Sequence, residues 1–404
     1  MSKTLLQINV TANWGSTGKI AEQIGFCAMA HGWKSYIAYG RMANPSKNEL
    51  IKIGNIPQVY WHYIQNRLFD REGLASRCAT KQLIKKIKDI RPDIVNLHNI
   101  HDHWLNYHIL FKYLNQTDIK VVWTFHDCWA FTGHCYHFVQ QNCMKWQTEC
   151  HDCVQRYKFT DRSRKNFLSK KFIFNECKNL TVVPVSEWMG NFVKQSFLKN
   201  KRMQVIHNGV DLRIFKSCSE KASISDSKFH IIAVSNVWHP YKGEMDIYKL
   251  REILPQDEFE ITMVGLSTEQ VKKLPSGIRG IQCTQNVQKL VKLYSESDVL
   301  INPTYADTFP TVNLEALACG TLVLTYRTGG LPEAIDENTG IVIEQGNVNA
   351  LADAIRQMRE QPLSGEDCRK RAEEYFDKDK CFGKYIELYE RLSLIHISEP
   401  TRRY

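Results

Sequence analysis

The sequence has no apolar run that approaches the roughly 18 residues required of a membrane-spanning helix, so we predict no integral membrane segment. Its first ten residues, MSKTLLQINV, turn polar too soon for a secretory signal peptide. We therefore expect a cytoplasmic protein. Disulfides are rare in that compartment, so most of the 13 cysteines are expected to be free, buried thiols.

Two common phosphate-binding fingerprints are also missing. The loop ANWGSTGK (12–19) is not a Walker loop, because Lys19 is followed by Ile20 instead of Ser or Thr. It does not fit G-x-G-x-x-G either. It does contain Gly15 and Gly18, which allow backbone N–H groups to approach an anion at a helix N-terminus. A tight turn that binds nothing is an equally simple interpretation.

The length and the charge pattern are informative. A chain of 404 residues exceeds one compact core and suits two domains. The net charge of +10 is uneven, since residues 1–210 contain 29 Lys and Arg against 14 Asp and Glu, and residues 211–404 contain 24 against 29. The basic first half indicates an anionic partner, and a membrane surface, a nucleic acid and a phosphorylated substrate all fit.

Short β-rich segments alternate with helical segments along the whole chain. The predicted strands are TLLQINV, SYIAYG, DIVNLHN, KVVWTFH, LTVVPVS and MQVIHNG in the first half, and FHIIAVS, FEITMVG, GIQCTQ, DVLINPT and TLVLTYR in the second. This alternation predicts parallel sheets covered by helices on both faces. The expected fold class is α/β, with two Rossmann-like doubly wound domains facing a central cleft and ligands at the carboxyl ends of the strands.

The turn signal Asn208-Gly209 places the predicted domain boundary. The predicted parts are an N-terminal domain (1–208) with a Cys-rich insertion (128–153), a C-terminal domain (209–376), a helix (377–392) that packs back on the N-terminal domain, and a tail (393–404). The tail, SLIHISEPTRRY, has no periodicity and resembles a translated sequencing adaptor, so we expect it to be non-native. A frayed native tail is the alternative.

The segment ADTFPTVNLEALACG (306–320) places two carboxylates, Asp307 and Glu315, eight residues apart. Asp307 lies in a predicted loop, and Glu315 lies about one turn inside a helix predicted over 311–319. The N-terminus of such a helix favours an anion by roughly 0.3–2 kcal/mol per charge contact. We interpret Glu315 as an acceptor for a ribose diol and Asp307 as an acceptor for sugar hydroxyls.

Lys242, in VSNVWHPYKGEMD (234–246), follows another predicted strand and can neutralise a phosphate. A glycosidase pair would require one acid with a raised pKa, whereas a nucleoside diphosphate is a good leaving group that needs charge stabilisation. Lys242 and the helix N-terminus can supply that charge. A solvent-exposed lysine without a ligand is the alternative.

Histidines follow two predicted strands of the first half. TFHDCW (124–129) places His126 and Asp127 at a strand end, and NLHNIHDHW (96–104) supplies three more histidines, His98, His101 and His103. Side chains at such strand ends are candidates for a site. Local hydrogen bonding within the loop is the alternative for the second group.

These motifs together resemble the retaining GT-B glycosyltransferases of family 4 (glycosyl transferases group 1), and the resemblance covers nearly all of 1–392. Asp307-x7-Glu315 corresponds to the E-x7-E signature of that family, and NGVD (208–211), Lys242-Gly243 and TGGLPE (328–333) are also similar. The branch that it resembles most assembles bacterial capsule, exopolysaccharide and O-antigen.

The resemblance implies a hexosyltransferase that moves sugar from a UDP- or GDP-sugar to a glycan, without a catalytic metal. It implies that His126 and Asp307 are the catalytic residues. The residues that it implies for nucleotide-sugar binding are Gly15, Gly18, Lys242, Thr284, Leu290, Thr308, Phe309, Thr311, Val312 and Glu315. Two departures from the family pattern are Asp in place of the first Glu, and no second basic residue beside Lys242, where Asn236 and Tyr241 stand.

Four cysteines in the insertion have the spacing C-x7-C-x6-C-x2-C, namely Cys135, Cys143, Cys150 and Cys153. A C-x2-C pair with two more thiols within about 20 residues can bind zinc tetrahedrally. We predict a structural zinc site, with His134, His137 and His151 as possible substitute ligands. Buried free thiols are the main alternative, and disulfides are a lesser one.

Two segments, 81–91 and 157–174, mix Lys and Arg with apolar residues. Ordinary solvated helix faces explain each of them, but together with the basic first half they suggest peripheral docking to the anionic inner membrane. That location suits a lipid-diphosphate-linked glycan acceptor, which the family resemblance implies. Two other functions stay open at this point: a nucleic-acid-binding protein with a zinc knuckle, and a GT-B sugar-nucleotide epimerase or hydrolase.

Overall fold

The computed structural model describes residues 2–156, 160–218, 227–282 and 286–394. The chain forms two compact units, one built from the residues up to His207 together with those from Phe382 onward, and one from Asn208–Cys381. The predicted boundary lies one residue from the first of these divisions. Most of the predicted tail (395–404) lies outside the described residues. Within the described ranges, no helix combines the length and the hydropathy needed to cross a membrane.

The first unit contains a sheet of seven strands. They are β1 (Thr4–Asn9), β2 (Lys34–Tyr39), β3 (Glu49–Lys52), β4 (Ile94–Leu97), β5 (Lys120–Phe125), β6 (Leu180–Pro184) and β7 (Arg202–Met203). All neighbours pair in parallel, in the order β3-β2-β1-β4-β5-β6-β7. Every residue of β4, β5 and β6 is buried, as expected for parallel strands covered on both faces.

In the part of 2–207 that the structure describes, six α-helices connect these strands. They are α1 (Gly15–Ala30), α2 (Ile56–Phe69), α3 (Arg77–Ile90), α4 (Tyr107–Leu114), α5 (Ser163–Asn175) and α6 (Glu187–Gln195). Helix α3 shows why these segments are helical, because Ala79, Leu83 and Ile87 recur every four residues and form its buried side. Lysines occupy the opposite side of α3.

The second unit contains a sheet of six strands. They are β8 (Phe229–Val234), β9 (Phe259–Leu266), β10 (Ile278–Gln282), β11 (Val299–Asn302), β12 (Leu322–Tyr326) and β13 (Gly340–Ile343). The strands pair in parallel in the order β10-β9-β8-β11-β12-β13. Counted within the unit this is 3-2-1-4-5-6, the Rossmann order. The predicted pair of doubly wound α/β domains is confirmed.

Seven α-helices follow in the described residues of the second half. They are α7 (Glu244–Ile253), α8 (Thr268–Lys272), α9 (Val287–Glu296), α10 (Thr311–Ala318), α11 (Val348–Glu360), α12 (Gly365–Tyr375) and α13 (Lys378–Leu394). From Phe382 onward α13 belongs to the first unit, where Tyr385 and Ile386 join a buried cluster with Leu5. The Tyr389 hydroxyl in the same helix accepts a hydrogen bond from Asn96 Nδ2 at 2.8 Å.

One strand prediction is wrong. The segment MQVIHNG (203–209) was expected to be a strand, but only Arg202–Met203 pairs with β6. The rest has strand-like composition, yet it continues beyond the paired strand. Its isolated hydrogen bonds, such as Ile206 N to Pro184 O at 3.0 Å, hold it beside β6 without extending the ladder.

Candidate functional site

Three loops of the second unit meet at one edge of its sheet. They follow β8, β11 and β12, which are neighbours, and parallel strands end at the same edge. Tyr305 N donates to Tyr241 O at 2.8 Å, which joins the β11 loop to the β8 loop, and Gly330 N donates to Thr308 O at 3.0 Å, which joins it to the β12 loop. The three segments therefore form one continuous surface.

Two glycines permit this close approach. Gly243 has a φ of +75°, and a Cβ placed there would lie 2.2 Å from Pro303 O. Gly329 has a φ of +57°, and its Cβ would lie 1.7 Å from Asp307 O. No side chain fits at either position, which explains the glycines of the Lys-Gly and Thr-Gly-Gly motifs in physical terms.

Two of the predicted site residues pair directly in this structure. Lys242 Nζ lies 2.7 Å from Asp307 Oδ2, and the two side chains are 27% and 22% exposed. The other carboxylate oxygen, Oδ1, accepts from Thr308 N at 2.8 Å. The ion pair is accessible to solvent, and it holds the lysine beside the loop that leads into α10.

Helix α10 begins at Thr311 with Pro310 as its N-cap residue. The proline side chain has no hydrogen-bond acceptor. Pro310 therefore cannot cap the N–H groups of the first helical turn. Thr311 and Val312 are half-buried, whereas Thr308 and Phe309 are buried. A helix start of this kind, beside a lysine, attracts anions.

Glu315 lies one turn inside α10 and is half-buried. Its Oε2 accepts a hydrogen bond from the hydroxyl of Tyr294 at 3.0 Å. Burial, and secondarily the Glu315 carboxylate, raise the pKa of Tyr294 well above its usual value, so the tyrosine remains a donor. Tyr294 was missed by sequence reasoning. Leu290, half-buried four residues earlier, lies on the same side of α9, and Thr284 lies outside the described residues.

A buried carboxylate, Asp246, lies four residues after Lys242 and stabilises the loops around it. Asp246, in the first turn of α7, is 4% exposed and accepts hydrogen bonds from the hydroxyls of Tyr305 at 2.6 Å and Tyr326 at 2.8 Å. These contacts join α7 to the β11 loop and to β12. Asp246 is a positioning residue that sequence reasoning also missed, because its partners are 59 and 80 residues away.

His239 is a second basic residue near Lys242 that sequence reasoning did not identify. His239 is exposed and lies in the loop that follows β8. Burial, and next the charge of Lys242, lower the pKa of His239. Asn236 and Tyr241, which occupy the positions where the family resemblance implies a second basic residue, are both exposed and uncharged.

A second set of loops meets at the sheet edge of the first unit. They follow β1, β4 and β5, which are neighbours. Asn99 N donates to Asn9 Oδ1 at 3.1 Å, and His98 N donates to Ile8 O at 2.9 Å. His126 follows β5, and its Nε2 lies 3.0 Å from His98 Nδ1. Two of the predicted histidines are thus brought together.

Both ring nitrogens of His98 lie among polar groups. Its Nε2 lies 3.1 Å from Gln7 Oε1 and 3.3 Å from Asn96 Nδ2, and its Nδ1 faces His126. Gln7 is held in place because its Nε2 donates to Ala21 O at 2.7 Å. Burial lowers the pKa of His126 to about 4, and burial likewise holds the pKa of His98 well below its usual value. Both rings are neutral at pH 7.

Asp127 forms a charged pair next to His126. Asp127 Oδ2 lies 2.8 Å from His101 Nε2, and Oδ1 accepts from Trp129 N at 2.9 Å. Burial opposes both charges, but the attraction outweighs it, raising the pKa of His101 and lowering that of Asp127 to about 2. His103 pairs instead with the adjacent Asp102 and with Asn66 of α2.

The glycine loop starts α1. Gly15 is the first helical residue and has a φ of +66°. A Cβ at Gly18 would lie 2.8 Å from Thr11 Oγ1, so Gly18 allows the helix to pack against the loop that precedes it. The N-cap residue, Trp14, makes no side-chain capping bond and is 41% exposed. The first turn of α1 therefore resembles that of α10 in lacking a side-chain cap.

The Cys-rich insertion brings together His134, Cys135 and Cys153, whose ligand atoms lie within 4.8 Å of one another. The set differs from the predicted four thiols, because His134 replaces Cys143 and Cys150 in the group. These two cysteines line the same cavity of ≈ 250 Å³. Among the described cysteines, none forms a disulfide.

Two family models match the two halves of the chain. The model described as Glycosyltransferase Family 4 matches residues 25–214, and the one described as Glycosyl transferases group 1 matches residues 228–361. A curated relative is the putative colanic acid biosynthesis glycosyl transferase WcaC of Escherichia coli K12. It is 21% identical over 96% of this chain and 100% of the relative.

Solved structures share the fold. Sucrose-phosphate synthase from Thermosynechococcus elongatus superposes with a TM-score of 0.74 at 18% identity, covering 98% of this chain and 100% of that one. HepE from Anabaena, solved in complex with UDP, superposes with a TM-score of 0.66 at 13% identity, covering 96% and 100%. These likenesses extend over both units and identify the architecture as GT-B.

Proposed function

The chain belongs to the GT-B glycosyltransferases that carry a family 4 domain and a group 1 domain, and from this premise we propose that it transfers a hexose-type sugar from a nucleoside-diphosphate sugar to a glycan with retention of configuration. The observation that carries the proposal is the meeting of Lys242, Asp307 and the uncapped start of α10 at one sheet edge. HepE, which shares the fold, binds UDP.

The donor diphosphate binds Lys242 and the first-turn N–H groups of α10. Hydrogen bonds to charged groups are worth about 1.5–3 kcal/mol each, so a cation and two or three amides suffice for a specific site. Glu315, oriented by Tyr294, accepts hydrogen bonds from the ribose diol. Leu290, together with Thr284, is proposed to form the wall beside the base.

The ion pair between Lys242 and Asp307 changes partners when the donor binds. The diphosphate carries more negative charge than a carboxylate, so it attracts the lysine more strongly. Asp307 is then available for the hydroxyls of the transferred sugar. His239, whose pKa is lowered by burial and next by the charge of Lys242, can gain a proton beside the diphosphate and supply the second positive charge.

In the transfer that we propose, configuration is retained because the acceptor hydroxyl attacks from the side of the leaving group. A phosphate oxygen of the donor takes the acceptor proton, so no protein nucleophile is assigned. His126 is proposed to hydrogen-bond the transferred sugar as a neutral imidazole, in keeping with its pKa of about 4. A neutral ring avoids placing a cation beside the positive charge that develops at the anomeric carbon.

The acceptor is proposed to be a lipid-linked glycan of a cell-surface polysaccharide such as a capsule or O-antigen. The name of the Escherichia coli relative refers to colanic acid biosynthesis, which supports this class. The role would place the enzyme in the cytoplasm, at the inner face of the membrane.

Surface chemistry of the first unit supports docking to an anionic bilayer. Helix α2 exposes large apolar side chains, including Ile56 at 82%, Tyr60 at 64% and Trp61 at 59%. The lysines of α3 are exposed on its outer side. Apolar insertion beside basic residues is the usual pattern of peripheral membrane proteins. Lys170 of α5 does not take part, because it is buried and donates to Trp129 O at 2.7 Å.

A screen of UDP- and GDP-sugars by thermal shift tests the donor assignment. A ligand that binds the folded state raises the melting temperature, and we expect one base to do so in the wild type but far less in Lys242→Met. Lys273→Met, an exposed lysine of the same unit, is the matched control. The proposal would be overturned if no sugar nucleotide raised the melting temperature of the wild type, or if the melting temperatures of Lys242→Met and Lys273→Met rose equally.

A further inference from the structure

The loop between β5 and α5 contains the group His134, Cys135 and Cys153, which the transfer chemistry does not use. Its three ligand atoms lie within 4.8 Å of one another. We propose that this group binds a structural zinc ion, with Cys150 as the fourth ligand. The site would be a Cys₃His centre that holds the loop in place.

The sulfur geometry fits a bound metal. Two thiolates on a tetrahedral zinc, with Zn–S near 2.3 Å, lie about 3.8 Å apart. Cys135 Sγ and Cys153 Sγ are separated by 3.9 Å, far beyond the length of about 2.05 Å for a disulfide. The pair is therefore spaced for a shared ion.

His134 is oriented as a ligand. Its residue is 8% exposed, and its Nδ1 lies 3.1 Å from Oδ2 of the fully buried Asp70. Asp70 Oδ2 also accepts from Arg162 N at 2.9 Å, which fixes the carboxylate. In the tautomer that donates Nδ1–H to Asp70, the imidazole presents the lone pair of Nε2. Among the described residues this buried atom makes no hydrogen bond of normal geometry, and the neighbouring side chain with which His134 interacts is the proposed ligand Cys153.

This carboxylate–histidine arrangement is a common second layer of metal sites. A metal-bound histidine usually donates its other ring N–H to a carboxylate or a carbonyl, which sets the tautomer and the ring orientation. A buried imidazole nitrogen that lacks a hydrogen bond of normal geometry destabilises the folded chain. A metal ion bound to Nε2 would satisfy this atom of His134, which supports a ligand at the site independently of the sulfur spacing.

Cys150 is the fourth ligand for two reasons. It stands three residues before Cys153, and the C-x2-C pair that they form is the usual arrangement in structural zinc sites. It is also 8% exposed, and its Sγ accepts from Gly133 N at 3.3 Å, which places the sulfur beside the residue that precedes His134. Cys143 lines the same cavity, but it stands outside the C-x2-C pair.

Thiolates with one imidazole select zinc over the harder cations, which prefer oxygen ligands. Four protein ligands leave no open position, so the ion would not take part in catalysis. Its role would be mechanical, because Cys135 precedes Tyr136, whose ring centroid lies 4.6 Å from that of His101. Tyr136 O also accepts from Cys128 N at 2.8 Å. Zinc would thus fix the wall of the His101–Asp127 pair.

Metal analysis of the full-length protein, purified without a metal-affinity step, tests the proposal. We expect about one zinc per chain in the wild type, and at least a fivefold loss in Cys135→Ser, Cys153→Ser and His134→Ala. Cys78→Ser, an exposed thiol on α3, is the matched control and should retain zinc fully. Zinc well below one equivalent in the wild type, with none taken up on addition, would overturn the proposal.

Cobalt substitution in the wild type keeps the test decisive where a variant does not fold. Cobalt(II) bound in place of zinc should give tetrahedral visible bands and a thiolate charge-transfer band whose intensity corresponds to three sulfurs. An intensity that corresponds to four sulfurs, or full zinc in His134→Ala, would overturn the assignment of His134. Zinc retained in Cys150→Ser but lost in Cys143→Ser would overturn the choice of the fourth ligand.

Discussion

The pairing of Lys242 with Asp307 leads to opposite expectations for two substitutions. Lys242→Met removes the cation that would bind the diphosphate, together with its 2.7 Å contact to the carboxylate. A hydrogen bond to a charged group is worth about 1.5–3 kcal/mol, so the dissociation constant of the nucleoside diphosphate should rise by about 10- to 150-fold. Turnover should fall as well, because the leaving group loses its stabilising charge.

Asp307→Asn should act in the reverse direction on binding. In the free protein the carboxylate competes with the diphosphate for Lys242, and the amide, which has nearly the same shape, does not. Because both side chains are about a quarter exposed, the competing pair is worth at most about 1 kcal/mol. The nucleoside diphosphate should bind equally well or up to about fivefold more tightly, whereas transfer slows because the sugar loses a charged acceptor.

Isothermal titration of the nucleoside diphosphate, paired with initial rates of transfer, measures both effects. The control is Lys273→Met, which removes an exposed lysine of the same unit and should change neither quantity. If Asp307→Asn weakened diphosphate binding as much as Lys242→Met does, the carboxylate would be supporting the lysine instead of competing for it. The exchange of partners proposed for the site would then be refuted.

Three further predictions concern the supports of the site. Tyr294→Phe removes the 3.0 Å hydrogen bond to Glu315 and should raise the KM for the donor by roughly 5- to 30-fold, about 1–2 kcal/mol; an unchanged KM would separate Glu315 from the ribose. Gly329→Ala places a Cβ 1.7 Å from Asp307 O at a φ of +57°, so nucleoside diphosphate should no longer shift the melting temperature, and a wild-type shift would contradict this close approach. The pKa of His126 is about 4 in the folded protein and near 6.5 in the unfolded chain, so the unfolded chain binds a proton first as the pH falls. The urea midpoint of unfolding should therefore decrease as the pH drops from 6.5 to 4. If the urea midpoint of His126→Gln decreased with pH just as steeply, His126 would not be the cause.

The fold followed from sequence patterns where burial on both faces leaves a continuous apolar run. Strand β5 (Lys120–Phe125) is such a case, since all six residues are buried. Two strands were missed because their sequences carry weak signals. β3 (Glu49–Lys52) is polar at both ends and only partly buried, and β13 (Gly340–Ile343) begins with glycine, which weakens a strand pattern.

The motifs predicted some contacts of the site, whereas others arise from packing that no local pattern encodes. Lys242 and Asp307 are 65 residues apart, yet each follows a strand that ends at the same sheet edge, so the motifs predicted their meeting. Tyr294 gave no such signal, because its hydroxyl becomes a donor to Glu315 only through the packing of α9 on α10. The same holds for Asp70, whose support of His134 spans 64 residues.

The measurement that tests the central claim most directly is a crystal structure of the protein with a nucleoside diphosphate bound, determined for UDP and for GDP in turn. The account predicts density for one of them at the start of α10, with phosphate oxygens within hydrogen-bond distance of Lys242 Nζ and the ribose hydroxyls on Glu315. Density for the nucleotide elsewhere, with the Lys242–Asp307 pair still intact at 2.7 Å, would contradict it.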